Sequence, residues 1–530
     1  TYSDRILIID EVHNIRTEDK SSTRNIIQMI DLLLSCSHNL KLILLTANPM
    51  FNQPNEIIWI LNMLLLNDNK PLLNEKDIFD GDNNLTKEGE ILLTNYSKGY
   101  ISYVRGENPI SFPIRLYPLM KMKDMITSEN APQKDTLGND ITDKLSFLNL
   151  YKNTLEGYQA EIYETMIENI DTLSIDIENK LLQYGNVCYL NDSEDINDKY
   201  GETGFDSCFK KVRKNNKLSY NVKSEINIFE KKYISNYSKK IQTILEEIQK
   251  SDGIVFIYSN WIYSGILPLL LALETHGYKK YDSQLLLPNK KYEPISYDGI
   301  YQSEYPKNKP FVQGKYMIIS GPLEGIQHDL KKELEIVNAS NNSDGSKIKI
   351  IIGSTVASEG LDFKCIRSIH ILEPWHNINK LEQVIGRGIR NCSHANLEEE
   401  MRNVTIYFHS VFLNNKRDKE SMDTYLYRYS EKKAIEIGKI ENILKSNAID
   451  KYLFKDINLF LQSHKIKIQP SDRTRKPYIY DLQDKSYSRV CSFQKNCDYI
   501  QSKEIINFKQ LNTDTFQMRY SQGIIQSYKK

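Results

Sequence analysis

Ile6-Leu7-Ile8-Ile9-Asp10-Glu11-Val12-His13 opens the chain with four apolar residues that run straight into two carboxylates. A short continuous apolar run is the pattern of a strand in a parallel sheet, buried on both faces. Leu42-Ile43-Leu44-Leu45 repeats it, and between the two Ile26, Ile27, Met29, Ile30 and Leu33 recur at helical spacing. This alternation predicts an α/β unit over residues 1–118, closed by Pro109, Pro113 and Pro118. The signal returns at Ile254-Val255-Phe256-Ile257, Met317-Ile318-Ile319, Ile348 to Ile352 and Ile369-His370-Ile371-Leu372. Helical patterns separate these runs, so residues 241–412 read as a second α/β unit with a parallel sheet.

Residues 119–240 change character, with a helical segment from Leu145 to Ile170 and an acidic, loop-like stretch from Asn191 to Ser207. They read as a mainly helical insertion. Residues 413–530 are helical from Tyr425 to Lys445 and then irregular and basic, with 15 Lys+Arg against 7 Asp+Glu within 451–530.

Composition narrows the classes. A length of 530 residues suits about three to four folding units. Hydrophobic residues at 40% and charged residues at 26% argue against a disordered chain. Equal totals of 69 basic and 69 acidic residues remove the signal of a grossly basic nucleic-acid binder but leave local patches open. No stretch approaches the roughly 18 apolar residues of a membrane span. The densest run, Ile57 to Leu66, is interrupted by Asn62, so no membrane partner is expected. Seven cysteines without CxxC spacing indicate neither a zinc ribbon nor a disulfide scaffold, and reduced intracellular thiols are expected. The chain begins at Thr1 and enters a core strand at once, which leads to the expectation of a fragment with an upstream part.

Three stretches carry chemistry. Asp10-Glu11-Val12-His13 sets carboxylates at a strand end, where one holds Mg²⁺ through water and the other orients an attacking water. A solvated acidic turn is the plain alternative. In Gln383-Val384-Ile385-Gly386-Arg387-Gly388-Ile389-Arg390, a helical wheel clusters Gln383, Arg387 and Arg390 on one face. Ile378, Leu381, Ile385 and Ile389 fall opposite, so this helix packs by one side and presents two guanidiniums on the other. Two glycines inside a helix cost about 1 kcal/mol each, which suggests a close approach to the backbone. A surface basic helix is the alternative. Gly353-Ser354-Thr355 to Asp362 follows a buried strand and offers N–H groups and hydroxyls to phosphates, or is simply a loop.

In order, these pieces resemble the motifs of superfamily-two helicases. Asp10 to His13 is similar to the DExH box, Thr46-Ala47 to motif III and the strand ending at Ser259-Asn260 to motif IV. Thr355 to Asp362 is similar to motif V, and Gln383 to Arg390 to motif VI. A closer resemblance is to the Swi/Snf-like helicases of large DNA viruses, the group of the poxvirus early transcription factor small subunit and nucleoside triphosphatase I. It rests on Ile101 to Pro109, His370-Ile371-Leu372-Glu373-Pro374-Trp375 and Arg390-Asn391-Cys392-Ser393-His394.

The resemblance implies tandem RecA-like lobes, the first truncated at its N-terminus, with a helical insertion and a C-terminal extension. It implies ATP and Mg²⁺ as cofactors, with Asp10 on the metal and Glu11 as general base. Arg387 and Arg390 would reach the γ-phosphate, His13 would couple nucleotide state to Gln383, and Asp362 would meet the ribose. Thr46, Ser259 and Thr355 would face nucleic acid, expected to be duplex DNA. A viral RNA polymerase or transcription-factor subunit would be a partner, and the setting the virion or the host cytoplasm. Two departures stand out. Asn48 replaces the usual hydroxyl residue of motif III, and no GxxxxGK[ST] phosphate loop occurs. A strand-separating helicase and a non-hydrolysing assembly subunit are the alternatives.

Overall fold

A computed structural model describes residues 2–15, 20–214, 217–282, 284–321, 329–354 and 361–500. The first part comprises β1 (Ile6–Ile9), α1 (Lys20–Cys36), β2 (Lys41–Leu44), α2 (Glu56–Asn67), α3 (Lys87–Ser97) and β3 (Ile114–Leu116). Next come β4 (Met125–Ile126), β5 (Leu150–Thr154), α4 (Gly157–Glu168), α5 (Ile175–Asn186), α6 (Gly201–Cys208), β6 (Phe209–Lys214) and β7 (Lys217–Val222). Then follow α7 (Ile234–Tyr237), α8 (Lys239–Lys250), β8 (Ile254–Tyr258), α9 (Leu267–Thr275), β9 (Lys279–Lys280), β10 (Lys315–Ile319) and α10 (Leu330–Val337). The last group is β11 (Ile350–Gly353), β12 (Ile366–Ile371), α11 (Ile378–Ile385), β13 (Asn403–Phe412), α12 (Met422–Ser446), α13 (Lys455–Asn458), β14 (Lys465–Ile468) and β15 (Tyr478–Asp481).

The main sheet runs β4-β5-β13-β12-β8-β11-β10-β9, with β3 also paired to β13. All its pairings are parallel except β4 with β5. Every residue of β8, β11 and β12 is buried, which is what continuous apolar runs demand when helices cover both faces. The strand period of two divides the core. Val255 and Ile257 pack with Ile241, Ile244 and Ile248 of α8, while Ile254, Phe256 and Tyr258 share the other face with Leu381, Val384 and Ile385 of α11. The fold is α/β, as the sequence leads one to expect.

Two local readings change. Leu145 to Ile170 is not one helix: Leu150–Thr154 forms β5 and only Gly157–Glu168 is helical. The edge of β13 supplies a parallel partner, and pairing overrides local helical spacing. β4 and β5, from the stretch read as a helical insertion, therefore extend the main sheet.

β1 and β2 pair in parallel, Ile6 with Lys41 through Ile9 with Leu44, but they are not buried on both faces. Ile6 and Ile8 are 66% and 58% exposed, and Ile43 and Leu45 43% and 46%. Their covered side packs with Val12, Leu34, Ile57 and Leu61, and with Ile437, Ile440, Ile443 and Leu444 of α12. The N-terminal half of α12 instead packs Met422 and Leu426 beside β13 and α5. One 25-residue helix thus spans both units.

Its first turn is anchored by a buried ion pair. Lys240 Nζ lies 2.8 Å from Asp423 Oδ2 and also donates to the Leu372 carbonyl and to Asn186. Farther along α12, Gly438 lets the 488–494 loop cross closely, because a Cβ there would collide with the Ser492 carbonyl. Lys445 donates to Ser492 Oγ, and Gln494 donates to the Ile435 carbonyl at 2.8 Å. Within this extension Cys491 and Cys497 form a disulfide, Cα atoms 4.5 Å apart. The expectation of reduced thiols therefore fails for this pair, because the turn between them brings together residues whose CxxxxxC spacing gives no such signal.

Removing one partner of a buried pair leaves an uncompensated charge. Lys240→Met should cost about 3–5 kcal/mol in denaturant unfolding; an unchanged midpoint would show that the pair is dispensable. Cys36 and Cys392 are exposed, whereas Cys188, Cys208 and Cys365 are buried. Thiol titration without reductant should find two reactive groups in the native protein and five after unfolding. Seven fast-reacting thiols in unfolded, unreduced protein would show that the disulfide does not form.

Candidate nucleotide and nucleic-acid site

Asp10 and Glu11 stand exposed at the C-terminal end of β1. Glu11 adopts φ 50°, ψ 46°, a left-handed conformation that costs a non-glycine residue about 1–3 kcal/mol and persists only where surroundings impose it. Here Val12 N donates to the Leu45 carbonyl at 3.1 Å, and the buried side chains of Val12 and His13 lock the turn from inside. Glu11 N donates to Asp10 Oδ1 at 2.9 Å, which orients that carboxylate. Two adjacent exposed carboxylates fit a Mg²⁺ ion that keeps most of its water and takes phosphate oxygens.

His13 Nδ1 lies 2.8 Å from Thr46 Oγ1 and 3.4 Å from Glu11 Oε2. The same Thr46 hydroxyl accepts from Asn48 N at 3.1 Å. Thr46, expected to face nucleic acid, is therefore engaged inside the protein. The His13 ring lies parallel to Phe51, centroids 6.4 Å apart.

The arginines are not on a helix. α11 ends at Ile385, and its last bonds tighten: Arg387 N reaches the Val384 carbonyl and Gly388 N the Ile385 carbonyl, both at 3.1 Å. The wheel still places the apolar residues well, since Ile378, Leu381, Ile385 and Ile389 are all buried. What approaches Gly388 closely is the core residue Ile366, whose side chain a Cβ would meet at 3.2 Å. Arg387 Nη1 donates to the Leu361 carbonyl at 3.4 Å, and Phe363 N donates to the Arg387 carbonyl at 3.0 Å. Arg390 Nε pairs with Asp362 Oδ1 at 2.8 Å. The end of the motif V-like segment and the arginine turn thus form one unit, in which exposed Asp362 meets Arg390. Gln383 sits half-buried on α11. Thr355 lies outside the described residues.

Ser259 is fully buried and donates to Glu373 Oε1 at 2.9 Å, so its hydroxyl does not face nucleic acid. Glu373 also accepts from Asn260 N and from Asn186 Nδ2. Burial pushes the Glu373 carboxyl up, while these donors and Lys240 pull it back.

The bonds that join the two units were beyond the reach of spacing. Asn379 on α11 donates to the Met50 and Phe51 carbonyls at 3.0 and 3.1 Å, and Lys433 of α12 donates to Asn52 at 3.0 Å. Buried Glu382 takes both Arg115, Nη2 to Oε2 2.8 Å, and Arg489, Nη1 to Oε2 3.1 Å. Arg115 also pairs with Glu107, and Arg489 Nη2 donates to Asn48 Oδ1 at 2.9 Å.

Residues 315–392, from β10 to beyond the arginine turn, match the helicase conserved C-terminal domain. A putative ATP-dependent RNA helicase of Acanthamoeba polyphaga mimivirus is 28% identical over 467 residues, covering 86% of this chain and 68% of that protein. A putative helicase of Invertebrate iridescent virus 3 is 26% identical, covering 85% of this chain and 40% of its own length. A termination factor NPH-I homolog of African swine fever virus is 27% identical, covering 78% of this chain and 56% of that protein. The solved C-terminal part of the Fun30 ATPase domain matches 39% of the chain at 13% identity, with a TM-score of 0.21, too low to bear on the fold. The domain over 315–392 and these viral relatives bear out the likeness to superfamily-two helicases of large DNA viruses.

Proposed function

We propose that this chain is the body of an ATP-driven motor that moves on duplex DNA in viral transcription. One observation carries the reading. Asn379, one turn before Gln383, donates to the carbonyls of Met50 and Phe51, and Phe51 lies against His13 of the DExH-like turn. The two candidate halves of a nucleotide site are thereby held in one bonded frame.

In this reading ATP lies between the halves. Mg²⁺, when bound, would neutralise phosphate charge, with Asp10 as its protein contact. Glu11 orients the attacking water and accepts its proton, and its strained backbone holds it outward for that task. Arg387 meets the charge that develops on the transferred phosphoryl group. Arg390 exchanges Asp362 for phosphate, so the pair serves as a resting partner. The open apolar face over Ile6, Ile8, Ile43 and Leu45 is suited to a further packing layer.

The relatives' names favour a second reading. Helicases of RNA or DNA separate strands, whereas a duplex translocase does not, so displacement of a labelled strand distinguishes them. Location in the virion or a cytoplasmic viral factory, and association with a viral polymerase or transcription-factor subunit, belong to the first reading.

In the complete protein, Arg387→Ala should lower ATP turnover by about 10³–10⁵ and leave nucleotide binding in place. Turnover like the wild type would reduce Arg387 to a structural charge. The basic extension allows a second check. Residues 451–500 are packed, with Lys467 on Glu400 at 2.8 Å and Arg489 on Glu382 at 3.1 Å, so their positive charge is partly structural. Lys465, Lys476 and Lys485 are exposed. Replacing them with Gln should flatten the salt dependence of duplex binding by about 0.9 in log–log slope for each phosphate that is no longer neutralised. An unchanged slope would place the DNA elsewhere.

A further inference from the structure

We propose that Arg489, from the C-terminal extension, is a positioning residue that carries the state of the DExH-like turn to the arginine turn. The proposal rests on the ATPase reading above and deepens it.

The geometry is a continuous bonded route. His13 Nδ1 lies 2.8 Å from Thr46 Oγ1, and Thr46 Oγ1 accepts from Asn48 N at 3.1 Å. Asn48 Oδ1 accepts from Arg489 Nη2 at 2.9 Å, and Arg489 Nη1 donates to Glu382 Oε2 at 3.1 Å. Glu382 precedes Gln383, and its carbonyl accepts from Gly386 N at 2.8 Å, one residue before Arg387. The route starts at the carboxylate turn in one unit and ends at the arginines in the other.

Arg489 is not needed to neutralise Glu382. Arg115 already grips that carboxylate with two nitrogens, Nη1 at 3.0 Å and Nη2 at 2.8 Å. What Arg489 adds is the link to Asn48. A serine or threonine hydroxyl at position 48 would end closer to the backbone, whereas the longer Asn amide carries an acceptor out to the guanidinium. The substitution that sets this chain apart from the usual motif III thus has a partner in the extension.

The loop bearing Arg489 is built to hold a position. It crosses α12 at Gly438, is tied by the Cys491–Cys497 disulfide and the Lys445–Ser492 bond, and packs Phe493 against Phe147, centroids 5.6 Å apart. A motion of the Thr46–Asn48 turn therefore pulls on α11 rather than being absorbed by the loop.

A shared route predicts coupling, and a double-mutant cycle reads it. In the complete protein, kcat and KM for ATP are measured with and without duplex DNA for wild type, Arg489→Ala, Asn48→Ala and the double variant. Each single change should lower the DNA-stimulated kcat about tenfold, the worth of one charge-assisted hydrogen bond, with KM for ATP held. The double variant should be no worse than either single. Stimulation like the wild type in both singles, or losses that multiply in the double, would overturn the proposal. If Arg489→Ala fails to fold, Asn48→Ala decides, since it leaves the Arg489–Glu382 pair in place. A complete wild type that hydrolyses no ATP would overturn the functional reading itself, whereas an active wild type with indifferent variants would overturn only the role of Arg489.

Discussion

The arrangement turns on one buried carboxylate. Glu382 sits inside α11, and burial alone would push its carboxyl up; Arg115 and Arg489 instead hold it below the ordinary value. A buried anion with two guanidinium partners is tolerated only in the geometry that satisfies it. That geometry fixes β3, the extension and α11 relative to one another, because each supplies one member. The helix cannot rotate without stranding the charge, so the turn carrying Arg387 and Arg390 inherits its orientation from a buried carboxylate.

A second buried hub does the same for the far end of the sheet. Lys240, Asp423 and Glu373 gather α8, α12 and the exit of β12. Glu373 then holds Ser259 and Asn260 at the exit of β8. The Lys240 hub lies at the C-terminal ends of β8 and β12, where α/β sheets present their binding loops, whereas Arg115 in the Glu382 hub pairs with Val404 near the start of β13. Gly265 belongs to this packing as well, since a Cβ there would strike the Ser259 hydroxyl. The loops are therefore placed by ionic frames beneath them, and the frames are what a surface motif does not display.

This explains which parts of the molecule were legible in the sequence. The apolar runs at Ile254, Met317, Ile348 and Ile369 announced β8, β10, β11 and β12 because burial on both faces leaves little choice of residue. β5 was misread because Leu150 to Thr154 mixes polar and apolar residues beside a helix, and only the edge of β13 decides its state. The arginine turn was found by residue type but assigned to a helix, since the spacing continues past Ile385 while the backbone tightens there. Ser259 and Thr46 sit where their motifs suggest, yet their hydroxyls turn inward to Glu373 and His13. Arg489 was invisible, because 441 residues separate it from Asn48 and no local pattern encodes the meeting.

The two arginines on Glu382 also differ in kind. Arg115 binds with two nitrogens and is held on its far side by Glu107, so its guanidinium is enclosed by charge and costly to move. Arg489 is more exposed, at 28% of its side chain, and its other partner is the neutral amide of Asn48. A single charge-assisted bond from a guanidinium to a neutral amide is worth about tenfold, less than the doubled, enclosed grip of Arg115. Enclosure and linkage are thus divided between two residues on one carboxylate. The first keeps the arginine turn assembled, and the second ties it to the Thr46–Asn48 turn. The proposed motor would need both properties at the joint between its two units, since a joint of enclosed pairs alone would hold a single state.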